Sequence, residues 1–262
     1  MDDAELVRAH HRSHVEFFRV AGERGSPASQ WIGLPGAGAA IVPATPERSL
    51  PNSVLYETPK QLLEHYDTIA AAYAAAGVRA FTVWVDPGDE PQLGPELEAR
   101  GHVRDTAPML QAARIADLDL EALAAAPLDL EPEPAFPVLA RLNDRAWGLT
   151  PDGSIGAALA GLTPDGEVRL WIARHEGEPG AGLMVLVHDG DAYVTFVATD
   201  PRAAGRGLAR SLLAHALLTC SSDGCITTTL EASAAGEPIY ARMGYRSLHR
   251  IPMYERRLEP RL

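Results

Sequence analysis

Apolar residues along this chain recur in two periods. Leu208, Leu212, Leu213, Ala216 and Leu217 fall three and four apart, the spacing of one helix face, and predict a helix over about 207–219. The Ala-rich stretch 59–76, with Pro59 in its first turn, predicts another, and residues 2–21 and 138–147 are further helix candidates. Short runs of β-branched and aromatic residues predict strands at 39–42, 54–56, 81–85 and 107–113, then at 168–174, 182–188, 192–198, 226–231 and 248–256. Turn residues at 178–180 and at Asp189-Gly190 join three successive strands of the second set. Short helices are expected at 95–100, closed by Gly101, and at 236–243. Residues 22–35, rich in Gly, Pro and Ser, show no apolar period and read as a loop.

The order of elements repeats. Both halves run strand, Ala/Leu-rich helix, strand, short helix, glycine, strand. One ends on Pro95 to Gly101-His102 followed by Pro108-Met109, the other on Glu237 to Gly244-Tyr245 followed by Pro252-Met253. This predicts one fold used twice, an α/β (α+β) architecture of two mixed, mostly antiparallel sheets flanked by helices. The Asp/Glu/Ala/Pro-rich stretch at about 116–137 is the connector, giving domains at 1–116 and 117–262.

Charge sharpens that division. The 262 residues carry a formal net charge of −12, with 46% hydrophobic and 22% charged residues, the balance of a packed globular protein. Residues 1–134 hold 10 basic and 21 acidic groups, whereas residues 135–262 hold 13 and 14. A phosphate-bearing ligand is therefore expected on the second half, and the acidic first half makes a cationic acceptor a candidate. The overall negative charge argues against nucleic acid and anionic membrane as partners. With neither a basic-apolar leader nor a long apolar run, a cytoplasmic location is expected. Cys220 and Cys225, the two cysteines, read as small buried side chains.

The chemistry concentrates after the strand at 192–198. There Thr199-Asp-Pro-Arg-Ala-Ala-Gly205-Arg-Gly207 leads into the amphipathic helix. Glycines at a helix entry let backbone N–H groups converge, and the helix dipole adds positive potential, so this loop suits a pyrophosphate. Arg202, Arg206 and Arg210 add fixed charge. No Gly-Lys-Ser/Thr follows, and the sole lysine, Lys60, lies in the other half, which excludes a P-loop. A dinucleotide fingerprint fits poorly, because Leu208, Ala209 and Arg210 follow Gly207 and the preceding strands read as hairpins.

From Val197 to Leu213 the sequence resembles the acyl-coenzyme A motif of the GNAT N-acetyltransferase superfamily, Gln/Arg-x-x-Gly-x-Gly/Ala at a helix start. Gly207 and Ala209 match its last two fixed positions and Gly205 a frequent glycine, while Ala204 stands where Gln or Arg is usual. That departure implies weakened pyrophosphate binding, with Arg202 as a candidate helper. The stretch Leu230-Glu-Ala-Ser233 to Tyr240 and Gly244-Tyr245 resembles the family's next strand-helix segment.

The resemblance implies acetyl-CoA as co-substrate, no metal, and direct acetyl transfer to a primary amine of a small molecule or peptide. It implies a slot between splayed strands at 192–199 and 226–231, with backbone N–H groups around Val197 and Thr199 on the pantetheine and thioester carbonyl. The coenzyme-binding set is then Val197, Thr199, Ala204, Gly205, Arg206, Gly207, Leu208, Ala209, Arg210 and Ser233. Tyr240 takes the position of the family's general acid, which protonates the leaving thiolate. The general base stays open among Glu231, Asp200, Glu237, His188 and a relaying water. Other outcomes are a non-catalytic acyl-CoA-binding module, an enzyme using a larger acyl group, and assembly as a homodimer. The first half resembles the family only in architecture, with Tyr56 to Gln61 in place of the pyrophosphate loop.

Several features carry blander readings. His10, His11 and His14 tempt a metal assignment because 10 and 14 share a helix face, but no third ligand is apparent and a solvated polar face is expected. Trp31, Trp84, Trp147 and Trp171 read as packing residues, as does Phe196.

Overall fold

A computed structural model describes residues 1–124, 127–149 and 155–258. Residues 125 and 126 of the expected connector lie outside the described residues. The helices are α1 (Asp3–Arg24), α2 (Pro59–Ala75), α3 (Glu90–Ala99), α4 (Leu120–Leu123), α5 (Phe136–Trp147), α6 (Gly156–Leu159), α7 (Leu208–Ser222) and α8 (Glu237–Met243). The strands are β1 (Gln30–Leu34), β2 (Ala37–Ile41), β3 (Ser53–Tyr56), β4 (Ala80–Trp84), β5 (His102–Arg104), β6 (Met109–Arg114), β7 (Asp129–Leu130), β8 (Val168–His175), β9 (Glu178–His188), β10 (Asp191–Thr199), β11 (Thr227–Ala232), β12 (Arg246–Arg250) and β13 (Met253–Arg257). Backbone contacts divide the chain into one compact unit of residues 1–14, 109–156 and 163–248, and another of 15–108, 157–162 and 249–262.

The first unit is built on a seven-stranded sheet in the order β12-β6-β11-β10-β9-β8-β7. Its pairs β7–β8, β8–β9, β9–β10 and β6–β11 are antiparallel, and β10–β11 is parallel. One face packs on α7, where Leu212, Leu213, Ala216 and Leu217 meet Leu183, Val185, Ala192 and Val194. The opposite face receives α5, with Leu142 against Ile172 and Ala198. Covered on both faces, β9 is buried from Gly180 through Leu186, which explains its nearly continuous apolar sequence.

The second unit has a six-stranded sheet, β1-β2-β3-β4-β13-β5. Its core gathers Leu62, Tyr66, Ile69 and Tyr73 of α2 with Ile41, Val54, Phe81 and Val83 of the sheet. Tyr73 stacks on Phe81 at 4.5 Å between ring centroids.

Several expectations need correction. The loop expected at 22–35 contains β1, paired antiparallel with β2 from Gln30↔Ile41 to Leu34↔Ala37 around a two-residue Pro35-Gly36 turn. As an outermost strand, β1 is buried on neither face throughout its length, so its composition need not alternate. The proline-rich connector carries the short α4 and β7, and α3 begins at Glu90, five residues before Pro95. The strand expected to close the first half, β6, instead sits between β11 and β12. Correspondingly, the expected last strand breaks at Ile251-Pro252 into β12 and β13, and β13 inserts between β4 and β5. Antiparallel bonds link the two crossing segments, from Ile251 N–H to the Pro108 carbonyl at 2.9 Å and from Met253 N–H to the Thr106 carbonyl at 3.0 Å.

Candidate active site

Strands β10 and β11 pair at Asp191↔Thr227, Ala192↔Thr228 and Tyr193↔Thr229 and no further, although they run on to Thr199 and Ala232. Beyond Tyr193 they diverge. On its other edge β10 carries a bulge: Thr195 faces Met184 and Ala198 faces Gly182, one residue more on β10 than on β9. Phe196 takes the left-handed conformation, φ 52, and Phe196 and Val197 have no register partner on β9. The bulge reverses the alternation, so that Ala192 and Val194 face α7 before it and Val197 after it. Phe196 is half-buried at this kink rather than a core residue, and Thr199 rejoins the ladder opposite Ala181.

The loop after β10 is anchored by Asp200. Its buried carboxylate accepts from the Arg202 N–H and Nε at 2.9 Å and from Nη2 at 3.0 Å, and lies 3.3 Å from Arg145 Nε. Its Arg202 hydrogen bonds hold its pKa down at about 2. Arg202 is thus spent on the anchor, which lessens its value as a pyrophosphate ligand. Ala204 is exposed, with nothing to replace the missing side chain. Gly205 and Gly207 both have φ 76, a conformation an L side chain resists.

Gly207 caps α7 without a side-chain hydrogen bond, and the N–H groups from Gly205 to Arg210 meet no acceptor among the described residues. Arg206 and Arg210 are exposed and form no ion pair among those residues. Leu208 and Ala209 pack against the core and seat this helix start. The helix that opens at Pro59 is finished differently: Thr58 Oγ1 accepts from the Gln61 N–H at 3.4 Å and donates to Gln61 Oε1 at 2.6 Å. One helix entrance is capped by its own side chains, whereas the other presents free donors to an anion.

Ser233 lies in the turn between β11 and α8, its Oγ accepting from the Gly236 N–H at 3.2 Å. Tyr240, on α8, lies edge-on to Tyr245 with ring centroids 5.8 Å apart. Burial pushes its pKa up to about 12, so it is a proton donor at neutral pH. Of the four candidate bases, Asp200 is committed to arginines. His188 pairs with Asp191 at the far end of β10, and Glu237 lies in the first turn of α8. Glu231 stands on β11 past its last pairing with β10.

The surroundings of Glu231 overturn the solvated reading of α1. Leu6, Ala9, His10, Ser13 and His14 are all buried, at the three- and four-residue spacing of a core-facing stripe, while His11 is exposed. Glu231 Oε2 accepts from the Tyr193 hydroxyl at 2.7 Å, and Oε1 is hydrogen-bonded by His10 Nε2 and lies 3.7 Å from His14 Nε2. Burial pushes His14 down to about 3, leaving a neutral ring. Next to this group, Asp191 Oδ2 accepts from Ser13 at 2.8 Å and Thr229 at 2.7 Å, and Oδ1 from Thr227 at 2.8 Å. The three- and four-residue spacing of Leu6, Ala9, His10, Ser13 and His14 is the signal that could have turned these histidines toward the core; only the fold brings Glu231 to them. Trp147, expected to pack, is 63% exposed.

A strand bulge, a splay and an uncapped glycine entrance to the next helix occur together in this unit. Residues 155–256 match the model of the acetyltransferase (GNAT) domain. The GNAT match includes β8 to β12, α7 and α8, and so the whole splayed site. Solved structures agree on the fold. A GCN5-related N-acetyltransferase from Kribbella flavida is 16% identical with a TM-score of 0.65 over 94% of each chain. One from Sphaerobacter thermophilus is 15% identical, TM-score 0.59, over 87% of this chain and 78% of that one. A tandem GNAT protein from the clavulanic acid biosynthesis pathway is 12% identical, TM-score 0.53, over 100% and 97%. No curated protein matches the sequence. Among the described residues no helix is long and apolar enough to cross a membrane.

Proposed function

We propose that the protein transfers an acetyl group from acetyl-CoA directly to a primary amine of a small molecule or peptide. The observation that carries this reading is the uncapped start of α7, with its glycines and two free arginines, at the mouth of the β10–β11 splay. The N–H groups of residues 205–210, with Arg206 and Arg210, bind the pyrophosphate, and Leu208 and Ala209 hold that turn against the core. The pantetheine lies along the splay. Backbone groups of Val197 and Thr199, with Ser233 opposite, bind it and stabilise the oxyanion formed on attack.

The amine lone pair attacks the thioester carbonyl, the C–S bond breaks, and the departing thiolate takes the Tyr240 hydroxyl proton. The proton shed by the amine leaves through Glu231, the carboxylate on the splayed part of β11. Holding amine and thioester in one slot supplies much of the rate. We also infer a tandem protein of halves 1–116 and 117–262, the first a degenerate copy without the pyrophosphate entrance and each lending its last strand to the other's sheet. The side-chain cap at Thr58, where the second half has Gly207, supports this.

Coenzyme A release measured over a panel of amines, amino acids, aminoglycosides and peptide N-termini tests the proposal, with acetyl-CoA binding followed by calorimetry. Release with one acceptor class and its loss in Tyr240→Phe are expected. Absence of acetyl-CoA binding by the folded protein would overturn the reading. Tight binding without release for any amine would instead indicate an acyl-CoA-binding module.

A further inference from the structure

We propose that His10, His14 and Glu231 form a binding site for a divalent transition-metal ion of the zinc or cobalt type. The three donor atoms, two imidazole nitrogens and a carboxylate oxygen, lie within 4.8 Å of one another. Histidines four apart on a helix project from one face, so α1 delivers both rings to the same point. Glu231 Oε1 faces both, against His10 Nε2 and 3.7 Å from His14 Nε2. Ligand atoms about 2.0–2.2 Å from a tetrahedral zinc ion stand roughly 3.3–3.5 Å from each other. Small rotations of the two rings therefore admit an ion where His10 now bonds Glu231 directly.

The chemistry of the donor set chooses the ion. Two imidazoles and a carboxylate suit borderline metals, whereas calcium and magnesium take oxygen ligands. The outer shell is already built: Tyr193 donates to the Glu231 oxygen that the ion would leave free, fixing the carboxylate plane. Charge points the same way, because a buried Asp191 and a nearly buried Glu231 bring two carboxyl groups to one place and a dication offsets both. Glu231 keeps 11% of its side chain exposed, enough for an ion to enter from the splay. The site stands independently of acetyl transfer. If Glu231 also accepts the amine proton, an occupied site withdraws it, and the metal inhibits turnover.

The test uses the full-length protein, untagged and stripped with chelator, titrated with zinc chloride by calorimetry and with cobalt(II) by visible absorption. One equivalent of zinc should bind, and cobalt should develop the intense bands of a site with fewer than six ligands. His14→Ala and Glu231→Gln should each weaken zinc at least about 100-fold, Tyr193→Phe about 10- to 100-fold, and His11→Ala not at all. Long-range proton–nitrogen spectra of the wild-type imidazoles guard against misfolded variants, since one equivalent of zinc must shift two histidine rings. Unmoved rings, no stoichiometric binding, or affinity unchanged in folded His14→Ala would each overturn the site. Turnover lost in Glu231→Gln at zero metal reports on the base alone, so failure of either idea is seen separately.

Discussion

Asn143 donates its side-chain amide to the Phe196 carbonyl at 3.0 Å, and so ties α5 to the bulge in β10. The same nitrogen donates to the Leu139 carbonyl one helical turn back, at 3.1 Å. Asn143 is 3% exposed, so this pairing is shielded from water and holds a residue whose φ of 52 would otherwise relax. The bulge lies where β10 leaves β11, so this buried amide helps to hold the backbone at the splay.

Replacing that amide should therefore loosen the slot. Asn143→Ala is expected to cost about 0.5–1.5 kcal/mol of stability, the net worth of a typical hydrogen bond. The Michaelis constant for acetyl-CoA should rise roughly tenfold, with each 1.4 kcal/mol a factor of ten. Urea unfolding and acetyl-CoA kinetics on one preparation check both effects.

The helix entrance offers a comparison between neighbours. Gly207→Ala and Gly205→Ala each force an L residue to φ 76, costing roughly 1–2 kcal/mol apiece. A Cβ at Gly205 meets nothing within 4 Å, whereas at Gly207 it comes 3.7 Å from Arg210 Nη2 and sits at the cap of α7. Acetyl-CoA affinity should fall further for Gly207→Ala than its loss of stability explains. Ala204→Arg, which places a cation in this loop, should tighten binding several-fold and steepen its salt dependence.

Tyr240→Phe removes a proton donor and little else, because the ring contact with Tyr245 survives. A fall in kcat of about 10²- to 10⁴-fold is expected, with the acetyl-CoA Michaelis constant nearly unchanged. With the phenol pKa pushed up to about 12, the wild-type rate should show no alkaline loss from this group below about pH 11. An alkaline limb near neutrality that vanishes in Tyr240→Phe would contradict that assignment.

The second unit should carry its own acid sensitivity. His102 is buried, with Nδ1 donating to the Tyr254 carbonyl at 2.9 Å and Nε2 accepting from the Tyr66 hydroxyl at 2.7 Å. Burial lowers its pKa from 6.5 to about 4, and Arg256 and Arg100 act in the same direction. Below pH 6.5 the unfolded chain takes up a proton that the folded protein refuses until about pH 4. Stability should thus be full above 6.5 and decline through that window. Urea midpoints between pH 7 and pH 4 should fall less in His102→Gln than in the wild type.

Much of this was legible along the chain because it is local. The helix over α7 and the strands β8 to β10 follow from side-chain periodicity, and α2 begins at Pro59 behind its Thr58 cap. The Gly205–Gly207 entrance is visible because left-handed backbone favours glycine. Strand β1 escaped because an outermost strand bears little packing constraint, and β5 because three residues carry no period.

The sequence by itself marked most of the elements, the glycine-rich entrance to α7 and the tyrosine we propose as proton donor, each set within a few turns of chain. Only the tertiary structure decided which sheet receives β6 and β13, since that choice lies in long-range pairing. It also decided that Glu231 meets His10 and His14, which lie 221 and 217 positions away along the chain. Helical periodicity turns those histidines inward, but which partner awaits them depends on the sheet that α1 covers, and no local rule specifies that contact.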